Sequence, residues 1–179
     1  VAGKRAAGDR NGTSAVLAAL SRVTRPMEVT ITTQNPQLPQ ARVARCVDLH
    51  LVTGGVGDYW RLYQQAALVM PRRYGGLSLP VNEAAGAGMA LVLTDTSPNP
   101  ATWPIERVDV ERWTRQACPA GTVPSAVPSV RSLAAAMDRF AGDHEQMDRA
   151  RERSRTWAIE HSWEVLRPTV TAALEAACA

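Results

Sequence analysis

The pattern of apolar and polar residues begins with a helical period. After the turn dipeptide Asn11-Gly12, apolar residues recur at Val16, Leu17, Leu20 and Val23, three or four positions apart. Thr13 has a side-chain oxygen suited to the N-terminus of a helix. The pattern therefore predicts a first helix over about 13–23 that begins at Thr13.

Alternating β-branched residues follow. The run from Glu28 to Thr33 predicts a strand, and the proline-rich stretch 35–39 ends it. A second strand is expected from Cys46 to Val52. A glycine-rich turn over 53–58 then leads into a predicted helix from Asp58, with one face formed by Tyr59, Leu62, Tyr63 and Ala66.

Two short, continuously apolar runs lie at 66–71 and 90–94. Such runs are typical of strands covered on both faces. A loop and a helix separate them, with Pro80 suited to the first helical position and Glu83 in the first turn. Strands that alternate with helices imply a mainly parallel sheet with helices on both faces, so the sequence predicts a Rossmann-like α/β fold.

The last part of the chain is expected to be a helical tail. Residues 96–128 are rich in proline, tryptophan and threonine, which predicts irregular structure with a short strand around Ile105 to Trp113. Beyond them, Ser129, Asp143 and Ser162 are each placed to cap a helix. We expect one domain, with a Rossmann-like core over 1–128 and a helical C-terminal tail over 129–179.

Composition narrows the class of protein. With 179 residues, 45% of them apolar and 21% charged, the chain resembles an ordinary globular domain. Its apolar runs fall short of the roughly 20 residues of a membrane-spanning helix. No signal-peptide pattern opens the sequence, which predicts a cytoplasmic protein without a membrane span. Cys46, Cys118 and Cys178 are too scattered to suggest a disulfide framework or a zinc site.

The net charge is only +3, but basic residues form three clusters. The first two clusters are suited to phosphate and consist of Lys4, Arg5 and Arg10, and of Arg72 and Arg73. For Arg72 and Arg73, exposure on the surface is the favoured interpretation. The third, over 149–155, is interleaved with acidic residues and is expected to be a solvated helix face.

The most informative segment runs from Met70 to Gly88, from a strand end through a glycine turn into a helix. Ligands of open α/β sheets bind at such places. An anion is expected to contact the backbone N–H groups of Gly76, Leu77, Ser78 and Leu79. The dipole of the following helix would strengthen these contacts. Glu83 is suited to the two hydroxyls of a ribose, because a carboxylate accepts two hydrogen bonds.

This segment resembles the signature of the large family of retaining GT-B glycosyltransferases, roughly Pro-Ser-x-Tyr-Glu-Gly-Phe-Gly-Leu-Pro-x-x-Glu-Ala-x-Ala-x-Gly. The matching residues are Pro71, Tyr74, Gly76, Leu79, Pro80, Glu83, Ala84 and Gly88. The segment 3–12 resembles the family's basic Gly-Arg and Lys-Gly segment, and the helix from Ser162 resembles its final helix. The resemblance implies one half of a GT-B fold, the C-terminal donor-binding domain.

The resemblance also implies roles for residues. Glu83 would bind the donor ribose, the amides of 76–79 the distal phosphate, and Arg5 with Arg10 the diphosphate. The family's first signature glutamate, which helps to hold the sugar, falls on Gly75 here. We count Gly75 among the donor-binding candidates, with a tight turn without ligand as the alternative.

The expected function is retaining transfer of a hexosyl group from a nucleoside diphosphate sugar, with UDP as one candidate nucleotide. The resemblance implies a preceding acceptor domain, which is not found in these residues and could come from another chain. The alternative is an inactive nucleotide-binding or interaction module derived from such an enzyme. A Rossmann oxidoreductase is disfavoured because no Gly-x-Gly-x-x-Gly fingerprint occurs. The sequence indicates no catalytic residue, metal, cofactor beyond the donor, or nucleic-acid partner.

Overall fold

The computed structural model describes residues 9–33, 42–55, 57–75, 78–96, 99, 102–119 and 121–178. Their strands form two parallel sheets and one hairpin. The first sheet pairs β1 (Met27–Thr33) with β2 (Val47–Thr53). The second has the order β3-β4-β5, from strands Ala67–Met70, Ala90–Thr94 and Ile105–Val108. The hairpin consists of β6 (Val110–Cys118) and β7 (Gly121–Pro128), which are antiparallel.

Helices flank the sheets, which confirms the predicted Rossmann-like α/β fold. They are α1 (Thr13–Leu20), α2 (Leu79–Gly86), α3 (Val130–Gly142), α4 (His144–Glu160) and α5 (Trp163–Cys178), with a 3-10 helix over Tyr59–Tyr63. Within the described ranges, no helix is long and apolar enough to cross a membrane.

Alternation along the second sheet divides the core into two clusters. On β4, Ala90 and Val92 belong to the cluster that contains α1 and α3, whereas Leu91 and Leu93 belong to the cluster that contains α2. Because neighbouring side chains of a strand point to opposite faces, helices cover both faces of this sheet. All five residues of β4 are buried, as the apolar run predicts.

The structure corrects three predicted elements. The first helix ends at Leu20, three residues earlier than expected, and its N-terminal cap is Gly12 rather than Thr13. The predicted helix from Asp58 is a five-residue 3-10 helix with no buried residue, and Ala66 lies outside it. Too few apolar contacts form there to extend it into an α-helix.

The third correction concerns residues 96–128, where irregular structure was expected. The hairpin β6–β7 occupies most of this stretch, and Gly121, the first residue of β7, has φ of 125° and pairs with Cys118, the last residue of β6. The second strand was not predicted because it contains Pro124 and Pro128, and proline weakens any prediction of a strand. Both prolines are tolerated because β7 pairs with β6 alone among the described strands.

Two of the predicted caps of the helical tail, Ser129 and Asp143, are confirmed. The side chains of Ser129 and Asp143 accept hydrogen bonds from the backbone N–H groups of Ser132 and Gln146. The helices α3 and α4 pack back on the sheets, whereas α5 has no buried residue. Trp157 packs edge-to-face on Trp103, and Trp163 is exposed.

Candidate functional site

The site is built where the loop before α1 meets the loop after β3. The backbone N–H of Arg73 donates to the carbonyl oxygen of Arg10 over 2.9 Å. Gly12, with φ of 75°, lies directly against the backbone of Pro71, where any larger residue would collide. The glycine therefore permits the close approach of the two loops.

This approach brings two guanidinium groups to one glycine. Gly75 has φ of 124°, and a Cβ atom placed on it would lie 2.5 Å from an Nη atom of Arg10 and 2.6 Å from an Nη atom of Arg72. The space that a side chain would fill at Gly75 is thus taken by two cationic groups. Gly75 shapes the site through its lack of a side chain.

Arg72 is the buried member of this pair. Only 6% of its surface is exposed, which corrects the expectation that it lies on the surface. Burial, and then the charge of Arg10, lower the pKa of its guanidinium. In the part of the chain that the structure describes, no side-chain hydrogen bond or ion pair holds either guanidinium. Two neighbouring cations without a carboxylate form a site suited to an anion with several oxygen atoms.

The N-terminus of α1 does not contribute to this anion site. The carboxylate of Asp9 accepts hydrogen bonds from the amides of Thr13 at 2.8 Å and Ser14 at 3.0 Å. It therefore satisfies the two helix-end amides that would otherwise face a ligand.

The N-terminus of α2 differs. Ser78 is buried and takes the cap position without a side-chain cap bond, and Leu79 is 72% exposed. Among the described residues, no acceptor engages the amide of Ser78 or Leu79. Those two predicted anion contacts thus lie at the positive end of α2, and the described residues supply no acceptor for them. The other candidates Arg5, Gly76 and Leu77 lie outside the described residues.

Glu83 is the fifth residue of α2, just past the first turn in which it was predicted, and its side chain is exposed. Both Tyr59 and Tyr63 donate a hydrogen bond to its Oε2 atom over 2.5 Å. Their own hydroxyls are 2.8 Å apart. The hydrogen bond to Glu83 raises the pKa of Tyr59, whereas burial first and Glu83 second raise the pKa of Tyr63.

Sequence reasoning missed two of these residues and the burial of a third. Tyr59 and Tyr63 were interpreted as one face of a helix, and their four-residue spacing gave no sign of a carboxylate 20 residues further along. The sequence places Arg72 among the basic residues suited to phosphate but favours surface exposure for it. Its position directly after a buried strand is the signal that points to burial.

No group of three or more metal-ligating side chains occurs within the described residues. A cavity of about 670 Å³ lies elsewhere, and Arg10, Arg72 and Glu83 are not among its lining residues.

Comparison with known proteins supports the fold. No family model matches the chain, and no curated protein matches it. The crystal structure of WaaG, a glycosyltransferase involved in lipopolysaccharide biosynthesis, superposes with a TM-score of 0.60 at 14% sequence identity. The match covers 92% of this chain and 43% of WaaG, so the chain spans less than half the length of that enzyme. At this identity the likeness shows a shared fold: the chain folds like one half of a GT-B glycosyltransferase.

Proposed function

We propose that this domain binds the nucleoside diphosphate of a sugar donor and serves as the donor half of a retaining glycosyltransferase. The observation that carries the proposal is the convergence of Arg10 and Arg72 on Gly75, close in sequence to the N-terminal amides of α2, for which the described residues supply no acceptor. The fold shared with WaaG supports the same assignment.

The two arginines account for the diphosphate. A diphosphate carries charge and several acceptor oxygens, and a guanidinium can donate to two of them at once. Bringing such an anion beside Arg72 offsets both its burial and its repulsion from Arg10. The interaction strengthens as the glycosyl bond breaks and charge develops on the leaving diphosphate, so it would favour the transition state.

Glu83 accounts for the nucleoside. Its Oε2 atom is held by two tyrosine hydroxyls, which leaves Oε1 for a ribose hydroxyl. The tyrosines also fix the direction of the carboxylate, so less conformational entropy is lost when ribose binds. Ring faces of Tyr59 and Tyr63 at the same place suit a nucleobase, because both are aromatic and Tyr59 is half exposed.

A second candidate is a nucleotide-binding module without transfer activity. Gly75 favours it, because glycine offers no side chain to hold a sugar at the position where the resembling family has a glutamate. Such a module would bind a nucleoside diphosphate and its sugar conjugates with equal affinity.

The test is calorimetric titration of the purified chain with UDP, GDP and ADP, their glucose and mannose conjugates, and inorganic diphosphate. Glu83→Gln should weaken the binding of nucleoside diphosphates by roughly tenfold or more, because a hydrogen bond to a charged group is lost. It should leave inorganic diphosphate unchanged, and Glu160→Gln on α4 serves as the matched control. A folded protein that binds none of these ligands contradicts the proposal, and tighter binding of a sugar conjugate favours the transferase over the module.

A further inference from the structure

The hairpin β6–β7 has one face that is open to solvent. Over 113–118 of β6, exposed residues alternate with half-buried ones, so Trp113 and Arg115 share the exposed face. Their cross-strand partners on β7 are Ala126 and Pro124. Neither partner is large enough to cover an indole ring or a guanidinium, and Trp113 is 56% exposed.

This open face is attached to the cationic site through Arg73. The N–H of Ala126 donates to the carbonyl oxygen of Arg73 over 2.7 Å, and Nε of Arg73 donates to the carbonyl oxygen of Ala126 over 3.0 Å. Both backbone groups of Ala126 thus point away from β6, and Arg73 lies along the other edge of β7. Since neighbouring strands are about 4.8 Å apart, the backbone of Trp113 lies about 10 Å from that of Arg73, the residue next to Arg72.

The same bonds define how Trp113 meets Ala126. They make the two residues a pair of the non-hydrogen-bonded kind, in which side chains come closest. Ala126 is fully buried, as expected where an indole covers its methyl group. In the part of the chain that the structure describes, no aromatic ring or cation contacts Trp113, and no carboxylate pairs with Arg115. The open face therefore presents a supported indole beside a free guanidinium.

We propose that Trp113 and Arg115 form a binding site for a sugar ring that carries an anionic group, either a carboxylate or a phosphate. An indole offers a flat apolar surface to the C–H face of a pyranose. A guanidinium donates two hydrogen bonds to a carboxylate or phosphate. The two residues are two positions apart on one strand, about 7 Å, which a single substituted ring can span.

The size of the open face favours this ligand over a protein. A stable protein partner covers about 800 Å² around an apolar centre. Among the described residues of the hairpin, Trp113 is the one large apolar side chain that is exposed. A protein partner would find too little apolar surface here.

The charge of the hairpin disfavours a nucleic acid. Single strands bind along a series of basic and aromatic side chains. The second basic residue of the hairpin, Arg112, lies on the opposite face, where it pairs with Val127 across the strands and with the carboxylate of Glu111. The open face thus offers one ring and one charge.

Under the proposed function, this site would hold the sugar acceptor, because it lies close to the diphosphate site. In that respect the inference rests on the proposed function. Binding of an anionic sugar does not itself require a nucleotide, so the two proposals are tested separately.

The experiment is an NMR titration of the whole chain with glucuronic acid, glucose 6-phosphate and glucose. It follows the indole N–H resonance of Trp113, which Trp113→Phe identifies by its loss. Both anionic sugars should shift this resonance, and glucose should bind about threefold more weakly because an exposed ion pair adds little free energy. The tighter of the two anionic sugars distinguishes a carboxylate ligand from a phosphate ligand.

Variants assign the binding to the two side chains. Trp113→Ala should weaken both anionic sugars by about tenfold, measured by saturation transfer to the sugar protons. Trp163→Ala is its matched control, because Trp163 is 59% exposed but lies on α5. Arg115→Gln should abolish the preference for anionic sugars, whereas Arg112→Gln on the opposite face should preserve it.

The proposal is overturned if neither anionic sugar shifts the Trp113 resonance, or if inorganic phosphate shifts it equally. An oligothymidylate that shifts it where the sugars do not would make the hairpin a nucleic-acid site instead. UDP is titrated in parallel. A chain that binds UDP but no anionic sugar overturns this inference alone, and a chain that binds anionic sugars but no nucleoside diphosphate supports the sugar site and contradicts the donor assignment.

Discussion

The backbone N–H of Arg73 is bonded to the carbonyl oxygen of Arg10 over 2.9 Å, and this bond joins the loop before α1 to the loop after β3. Because of it, the side chains of Arg10 and the neighbouring Arg72 reach the same glycine. The cationic site is a property of two loops in contact and would not exist in either loop alone.

Replacing Gly75 by alanine should damage both the fold and the site. Its φ of 124° is strained for alanine, and the new methyl group would meet the guanidinium groups of Arg10 and Arg72. We expect a loss of about 1–3 kcal/mol in the free energy of unfolding, measured with urea, and a weaker affinity for nucleoside diphosphates.

Gly121 supplies the matched control for that change. Its φ is 125°, but nothing lies within 4 Å of a Cβ atom there. Gly121→Ala should therefore cost similar backbone strain and leave nucleotide affinity unchanged. Equal affinity in both variants would show that the arginine pair takes no part in binding.

Replacing Arg72 by methionine should separate stability from function. The buried cation has no described counter-charge, so its removal should raise the free energy of unfolding by about 1 kcal/mol in ligand-free protein. The variant should also lose the stabilisation that inorganic diphosphate gives the wild type.

The comparison for this variant is Arg73→Met. The Nε atom of Arg73 donates to the carbonyl oxygen of Ala126 over 3.0 Å, so its loss should destabilise the protein. If Arg72→Met is destabilised to the same extent, the guanidinium of Arg72 has a stabilising partner in the wild type, and the assignment of an anion site is wrong.

The hydrogen bonds of Tyr59 and Tyr63 to Glu83 predict that the stability of the fold depends on pH. The pKa of Tyr63 is raised above its ordinary value of 10.0 in the folded chain, so the native state holds its proton more tightly. The stabilisation is complete below pH 10 and is lost as the pH rises further, because the unfolded chain ionises first. The free energy of unfolding should fall more steeply above pH 10 in wild type than in Tyr63→Phe.

Tyrosinate absorbance provides a second reading of the same contact. In Glu83→Gln, the rise in absorbance should move to lower pH, more completely for Tyr59 than for Tyr63, since burial is the largest cause of the shift at Tyr63. An unchanged titration curve would mean that the tyrosines do not bond to Glu83.

Asp138 should stabilise the packing of α3 on the turn after α1. Its carboxylate accepts bonds from the N–H and Oγ1 of Thr24 and the N–H of Arg25, at 2.8–3.1 Å. Burial alone would raise the pKa of Asp138, but these bonds outweigh it and lower the pKa below 3.8. The stabilisation is therefore present above pH 3.8 and is lost as the pH falls through the lower native value.

We expect Asp138→Asn to lose about 1–2 kcal/mol of unfolding free energy at pH 7, with the difference from wild type shrinking below pH 4. Asp148→Asn on the exposed face of α4 is the control and should change little. A pH-independent difference would mean that the charge of Asp138 is not involved.

The sequence predicts best those elements whose residue pattern depends only on residues close together in the chain. The strand β4 is a continuous apolar run, and α2 begins beside a proline. The hairpin was missed because its stability depends on pairing between β6 and β7, and cross-strand pairing leaves a weaker mark on a sequence than helical periodicity.

The candidate site was predicted in part. Glu83 and the start of α2 could be located because they fall within one continuous signature. The burial of Arg72 and the bonds from Tyr59 and Tyr63 to Glu83 depend on which distant segments meet in the fold. Such meetings are decided by packing, which a single sequence does not reveal.

The backbone of Arg73 bonds on both sides, through its N–H to Arg10 and through its carbonyl oxygen to the N–H of Ala126 in β7. Three segments far apart in sequence are thus joined by hydrogen bonds at the backbone of Arg73. Loop closures of this length slow folding, and the one between Arg10 and Arg73 must be complete before the arginines share their glycine. The cationic site should consequently form late in folding, and a chain in which the loop before α1 has not yet docked on the loop after β3 would carry its two arginines apart.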